Sequence, residues 1–305
     1  MRWDGQRESD NVEDARGQGP AGGGRGGMRL GGRGIGLGTI AIALVGGWLL
    51  GVNPLTLLGI LSGGGGGDME SSAPSQPAPR SQASPSGEVS AQDRTAKFVS
   101  VVLASTEDVW GSVFQQVGRT YQAPKLRLFD GRTPTACGTG EASAGPFYCP
   151  GDQRVYIDLT FFQLLEQRFK APGDFAQAYV IAHEVGHHVQ NQFGIMDKLQ
   201  AARGRMSEKQ NNALSVRLEL QADCFAGVWA HHSDRAKGWL EKGDLEEAMR
   251  AATAIGDDTL QRQSQGVVVP DAFTHGTSQQ RVQWFQIGMS KGTLAACDTF
   301  KQTTP

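Results

Sequence analysis

The chain has 305 residues, a formal net charge of −2 and 39% hydrophobic residues. That is enough for one sizeable core plus accessories, and the near-neutral charge without a basic stripe argues against a nucleic-acid partner. Its 42 glycines are concentrated in the first 70 residues, so composition divides the chain before any motif does.

Residues 1–34 are rich in Gly and Arg and carry too few apolar side chains for a core, which predicts a disordered tail. Residues 35–52 carry no charge and have about the length needed to cross a bilayer, and Leu55–Leu61 extend the apolar stretch past Asn53-Pro54. We read 35–61 as a transmembrane anchor. A cleaved signal peptide is disfavoured by the long leader and by the lack of a small-x-small site after the apolar stretch. Arg25, Arg29 and Arg33 precede the stretch, and Asp68 and Glu70 follow it. The positive-inside rule then expects a single-pass protein of the bacterial cell membrane, with its N-terminus cytoplasmic and the remainder outside. Residues 62–90, mostly Gly, Ser, Pro, Ala and Gln, read as a flexible linker.

Residues 91–305 have the composition of one globular domain. Val99–Leu103 and Val109–Phe114 suggest two short amphipathic helices, with Ser105-Thr106-Glu107-Asp108 as the start signal of the second. Lys125–Phe129 alternates like a strand and ends at the turn signal Asp130-Gly131. A Gly/Ala/Ser loop lies between Cys137 and Cys149, Gln153–Leu159 is a second strand, and Phe161–Phe169 reads as helical. An exposed strand edge in this region could bind an extended peptide by backbone pairing. Two longer helices follow, one around Val180–Val189 and one over Ala213–His231, and then a third motif region at Thr274–Phe285. The whole is an α+β domain, mainly helical, with a small sheet.

The chemistry centres on Val180–Val189, which contains His183, Glu184 and His187 in the pattern H-E-x-x-H. Residues four apart on a helix lie about 40° apart around the axis, so the two histidines share a face and can hold one Zn²⁺. Glu184 sits beside them, placed to take a proton from a metal-activated water as general base. A catalytic site needs a third protein ligand and an open position. A third histidine in the H-x-x-G-x-x-H extension is ruled out by Gln190 and Phe193. Glu219, on an otherwise apolar helix, supplies the ligand instead, and Asp223 four residues later orients a ligand histidine. His275 is the best candidate to stabilise the oxyanion. His188 points from another face, and His231 and His232 suit the end of a helix. Arg281 could orient a carboxylate or bind substrate.

These motifs, together with Met1-Arg2-Trp3, Asn11-Val-Glu-Asp14 and Gly145-Pro-Phe-Tyr-Cys-Pro150, resemble the bacterial putative neutral zinc metallopeptidase family. The resemblance implies a zincin-like, membrane-anchored metalloendopeptidase of the gluzincin type, with one Zn²⁺ per chain and a peptide or protein substrate. Thr274-His275 with Gln280-Arg281 is also similar to the His…Arg segment of membrane-associated metalloproteases, which implies the stabilising role of His275 and a site role for Arg281. Two alternatives stay open: a zinc-stabilised scaffold without activity, and a zinc hydrolase of a non-peptide amide such as cell-wall material. The four cysteines form an even set for an oxidising compartment. Cys137–Cys149 would close a small loop and Cys224–Cys297 would pin the tail to the Glu219 helix, one of three possible connectivities.

Overall fold

The computed structural model describes residues 1–17 and 91–301. The stretches expected as an anchor, 35–61, and as a linker, 62–90, lie outside the described residues, as does most of the expected tail. Among the described residues no helix is long and apolar enough to cross a membrane.

Two layers make the fold. A four-stranded sheet has the order β1 (Val12–Asp14), β2 (Lys125–Leu128), β6 (Arg154–Ile157), β5 (Phe147–Cys149), and only its last pair is antiparallel. In β2, Leu126 and Leu128 are buried while Lys125 is exposed, the alternation of a strand with one face on a core. The helices are α1 (Ala91–Gln116), α2 (Thr160–Gln167), α3 (Asp174–Gln192), α4 (Ile195–Arg203), α5 (Glu208–Lys237), α6 (Asp244–Ala254), α7 (Asp257–Gln265) and α8 (Ser278–Lys291), with α3 packed on β5 and β6 and α5 and α8 packed on each other. The domain is α+β and mainly helical, as read from the sequence.

Three expectations need correction. The two short helices before residue 116 are one helix of 26 residues. The presumed start signal is spent elsewhere: Thr106 donates to the Leu103 carbonyl, Ser105 accepts from the Trp229 indole, and Glu107 accepts from Ser9 and Asn11. The start of the Cys137–Cys149 loop is the second strand of a β-hairpin, β3 (Arg132–Thr135) with β4 (Gly138–Glu141), whose turn carries Cys137.

The third correction concerns residues 1–17, expected as the start of a disordered tail. They are ordered against the domain. β1 pairs with β2 in parallel, Val12 opposite Leu126. Trp3 is buried edge-on against Phe98, and its indole N–H donates to Asp174 at 2.8 Å. The Arg2 amide donates to the Trp239 carbonyl, and Arg7 bonds the Ala104 carbonyl and Asp108. The scarcity of apolar side chains concealed a segment held by one aromatic anchor, a short strand and many hydrogen bonds.

Helix packing positions the site. α5 starts with a capping box, Ser207 with Gln210, and ends at Gly238 with a φ of 56°. α8 starts the same way, Thr277 with Gln280. A Cβ at Gly288 would collide with the Cys224 carbonyl, and one at Gly227 with the Phe285 carbonyl. These two glycines therefore let α5 and α8 meet backbone to backbone, which brings Arg281 within reach of Asp223. Gly186, between the two histidines of α3, does the same against Ala222, where a Cβ would lie 3.1 Å from the carbonyl oxygen. Two disulfides close the covalent structure, Cys137–Cys149 and Cys224–Cys297. They match the pairing considered from the sequence.

Candidate metal centre

α3 is buried on nearly every side, from Phe175 to Gln190. His183 and His187 are therefore held by protein partners rather than by water. His183 and His187 face Glu219 on α5. His183 Nε2 lies 3.1 Å from Glu219 Oε2, and His187 Nε2 lies 3.5 Å from Oε1. One ligand atom from each of the three falls within 4.8 Å of the others. Tetrahedral zinc with bonds of about 2.1 Å separates its ligand atoms by roughly 3.4 Å, so this donor set fits the ion.

The far side of each ring is also fixed. His183 Nδ1 donates to Asp223 Oδ1 at 2.8 Å, as expected for the orienting carboxylate. His187 Nδ1 donates to Gln190 Oε1 at 2.9 Å, a partner that the sequence reading considered only as a failed ligand position. With Nδ1 of each ring taken by its own partner, Nε2 of each, facing Glu219, is the nitrogen left to bind a metal. Gln190 is itself held: its amide donates to the Leu218 carbonyl and to Gln221, whose amide donates to the Cys297 carbonyl.

The electrostatics favour a cation. Burial alone would depress the His183 pKa, but Asp223 and Glu219 reverse this and raise it to about 10. Burial would raise that of Glu219, yet His187 and His183 pull it well below the usual carboxylate range. The pocket thus draws positive charge, and a divalent ion can replace those protons. Glu184 is buried and outside the ligand cluster. Burial raises its pKa, partly offset by His187 and His183.

Asp223 is fully buried between four donors. Arg281 reaches it with two bonds of 2.9 Å, Tyr179 donates its hydroxyl at 2.5 Å, and His183 is the fourth. Arg281 is 2% exposed, so of its two expected roles the geometry matches the orienting one and leaves no face for substrate.

His275 lies in the loop before α8, its side chain 24% exposed. Asp257, at the start of α7, positions it. Asp257 Oδ2 accepts the backbone N–H groups of Thr274, His275 and Gly276 at 2.7, 2.6 and 3.0 Å, and Oδ1 lies 3.2 Å from His275 Nδ1. Burial would lower the His275 pKa, but Asp257 raises it. The sequence reading missed Asp257. The local signal in Gly256-Asp257-Asp258 is only that of a helix start, and nothing links it to a loop 18 residues on.

The remaining histidines have structural partners. His188 lies between the Tyr148 hydroxyl and the Gln122 carbonyl. His231 and His232 donate to the carbonyls of Met289 and Gly292, satisfying the end of α8 rather than of their own helix.

A protein family described as "Putative neutral zinc metallopeptidase" matches residues 1–300. The uncharacterized protein YpfJ of Escherichia coli (strain K12) is 52% identical over 302 residues, covering 98% of this chain and 99% of that protein. The uncharacterized protein Rv2575 of Mycobacterium tuberculosis (strain H37Rv) is 40% identical over 215 residues, 67% of this chain and 71% of that protein. No solved structure matches the chain.

Proposed function

The chain belongs to this neutral zinc metallopeptidase family, and from that premise we propose that it is a zinc-dependent peptidase attached to the bacterial cell membrane. The observation that carries the reading is the convergence of His183, His187 and Glu219, each imidazole locked by its own partner, beside a buried carboxylate that is not a ligand. A purely structural zinc site fills four protein positions and has no use for Glu184.

His183 Nε2, His187 Nε2 and the Glu219 carboxylate would hold the ion. Bound there, zinc supplies a Lewis acid that polarises the scissile carbonyl and lowers the pKa of a water towards 7. Glu184 would accept the proton of the attacking water and then pass it to the leaving amine. The hydroxyl goes to the acyl carbon as the C–N bond breaks. His275, with Nδ1 against Asp257, which raises its pKa, would offer Nε2–H to the carbonyl oxygen as charge develops there. Substrate would run along β5, the edge strand of the sheet next to the metal helix, where Tyr148 bonds His188 and Asn191.

Membrane attachment rests on the uncharged stretch within 35–61, and placement of the catalytic domain outside the cytoplasm rests on its two disulfides. The test uses the full chain in detergent, because a fragment starting at 91 would lack Trp3 and β1. Zinc-loaded protein and Glu184→Gln are each incubated with a diverse peptide mixture and analysed by mass spectrometry. Cleavage by the first alone is the expected result. No cleavage by either, with zinc bound stoichiometrically, would refute the peptidase reading and turn attention to non-peptide amides or a scaffold.

A further inference from the structure

We propose that the cavity beside the metal centre, between the first half of α5 and the 267–280 segment, is a specificity subsite for a large apolar side chain of the peptide substrate. The inference rests on the peptidase reading above and names the substrate class. The cavity has a volume of about 440 Å³; Ala213, Val216, Val268, Pro270 and Phe273 give it apolar walls, and six polar residues complete its lining. It adjoins the chemistry. Val216 lies one turn before Glu219 on α5, and Phe273 lies two residues before His275. The His275 loop is pressed onto the same helix face: a Cβ on Gly276 would lie 3.2 Å from both Val216 and Leu220.

A second observation concerns the rim. Among the described residues the exposed large apolar side chains are Val117, Met206, Val267 and Val269, at 51, 38, 63 and 44%. Val267 and Val269 flank the lining residue Val268 in the chain, and Met206 lies three residues before the lining residue Lys209. A hollow with apolar walls and exposed apolar side chains in the segments that form it is a surface that gains by covering. Lys209 pairs with Asp271 at 3.0 Å and Asn212 donates to the Asp271 carbonyl, so the 270–272 wall is braced against α5. The cavity is therefore built before any ligand arrives.

The test compares two peptides of Ala and Gly, identical except for one Phe in place of Ala, titrated onto the zinc-loaded Glu184→Gln protein, which binds without turnover. The Phe peptide should bind at least tenfold tighter, and adding Ala213→Trp, a change at an exposed position on the cavity wall, should abolish that advantage. Equal binding of both peptides, or a Phe advantage that survives Ala213→Trp, overturns the subsite. Cleavage of the same peptides by wild-type protein reports the peptidase reading separately, so the two can fail apart.

A different observation carries a second inference: residues 1–17 lie in the same compartment as residues 91–301. The register of β1 on β2, the buried Trp3 and the Ser9–Ser100 backbone bond require direct contact between the two. A hydrocarbon core of about 30 Å cannot separate hydrogen-bonded strands. A chain crossing the membrane once between Gly17 and Ala91 could not form this sheet, so the single-pass topology with a cytoplasmic N-terminus gives way to one with both flanks on one face. The four cysteines of the chain are all disulfide-bonded, so single introduced thiols can be labelled selectively. Asp10→Cys and Gln263→Cys, both exposed positions, are tested in the full chain in intact cells with a membrane-impermeant maleimide. The same outcome at both positions is expected, whether both label or both are protected; labelling at one and protection at the other would overturn the inference.

Discussion

Asp223→Asn tests the central claim that one buried carboxylate serves both the metal ligand and the helix packing. The substitution is isosteric but turns one acceptor oxygen into an N–H₂ donor. Asp223 faces only donors, namely His183 Nδ1, two groups of Arg281 and the Tyr179 hydroxyl. At least one bond is therefore lost, and the Arg281 guanidinium stays buried without a counter-charge. Breaking one side of a buried pair costs about 3–5 kcal/mol. For a domain of this size that corresponds to a fall in Tm of roughly 6–20 °C. Separately, loss of the partner that holds His183 should weaken zinc binding about 10- to 100-fold. Gln190→Ala is the informative comparison, because Gln190 holds His187 without neutralising any charge. It should weaken zinc binding to a similar degree with a smaller loss of Tm. Zinc affinity is measured by chelator competition and Tm by calorimetry on metal-free protein. Asp223→Asn with wild-type zinc affinity and wild-type Tm would refute the reasoning.

Other consequences follow from the same geometry. Trp3→Ala removes an anchor that is 4% exposed and should cost about 3–5 kcal/mol, read by urea unfolding, although Trp3 lies far along the sequence from the domain it stabilises. Opening the Cys224–Cys297 bridge, which spans 73 residues, with both cysteines changed to Ala should cost about 4 kcal/mol by loop entropy. It should also loosen the Gln221–Cys297 bond that supports Gln190, so zinc affinity falls with it. The raised His275 pKa means that the favourable His275–Asp257 contribution is complete below the unfolded value near 6.5 and is lost as pH rises through the folded one. Asp257→Asn should therefore move the alkaline limb of the kcat/KM profile to lower pH; an unmoved limb would remove His275 from the acid role.

The sequence by itself determined what lies within a few turns of one helix. His183 and His187 share a face because of the 3.6-residue period, and so do Glu219 and Asp223, whatever surrounds them. The short-range strands over 125–128 and 154–157 are legible for the same reason, since alternation is a local pattern. Only the tertiary structure decided which groups meet across sequence. Gln190 on His187, Asp257 on His275, Arg281 turned inward to Asp223, and residues 1–17 completing the sheet depend on helix packing and strand order. Such contacts form between segments whose local sequence is compatible with many partners. The clearest case is Ser105-Thr106-Glu107, which carries a helix-start signal yet lies within an unbroken helix, because Trp229, Ser9 and Asn11 take up the polar groups that would otherwise have capped it.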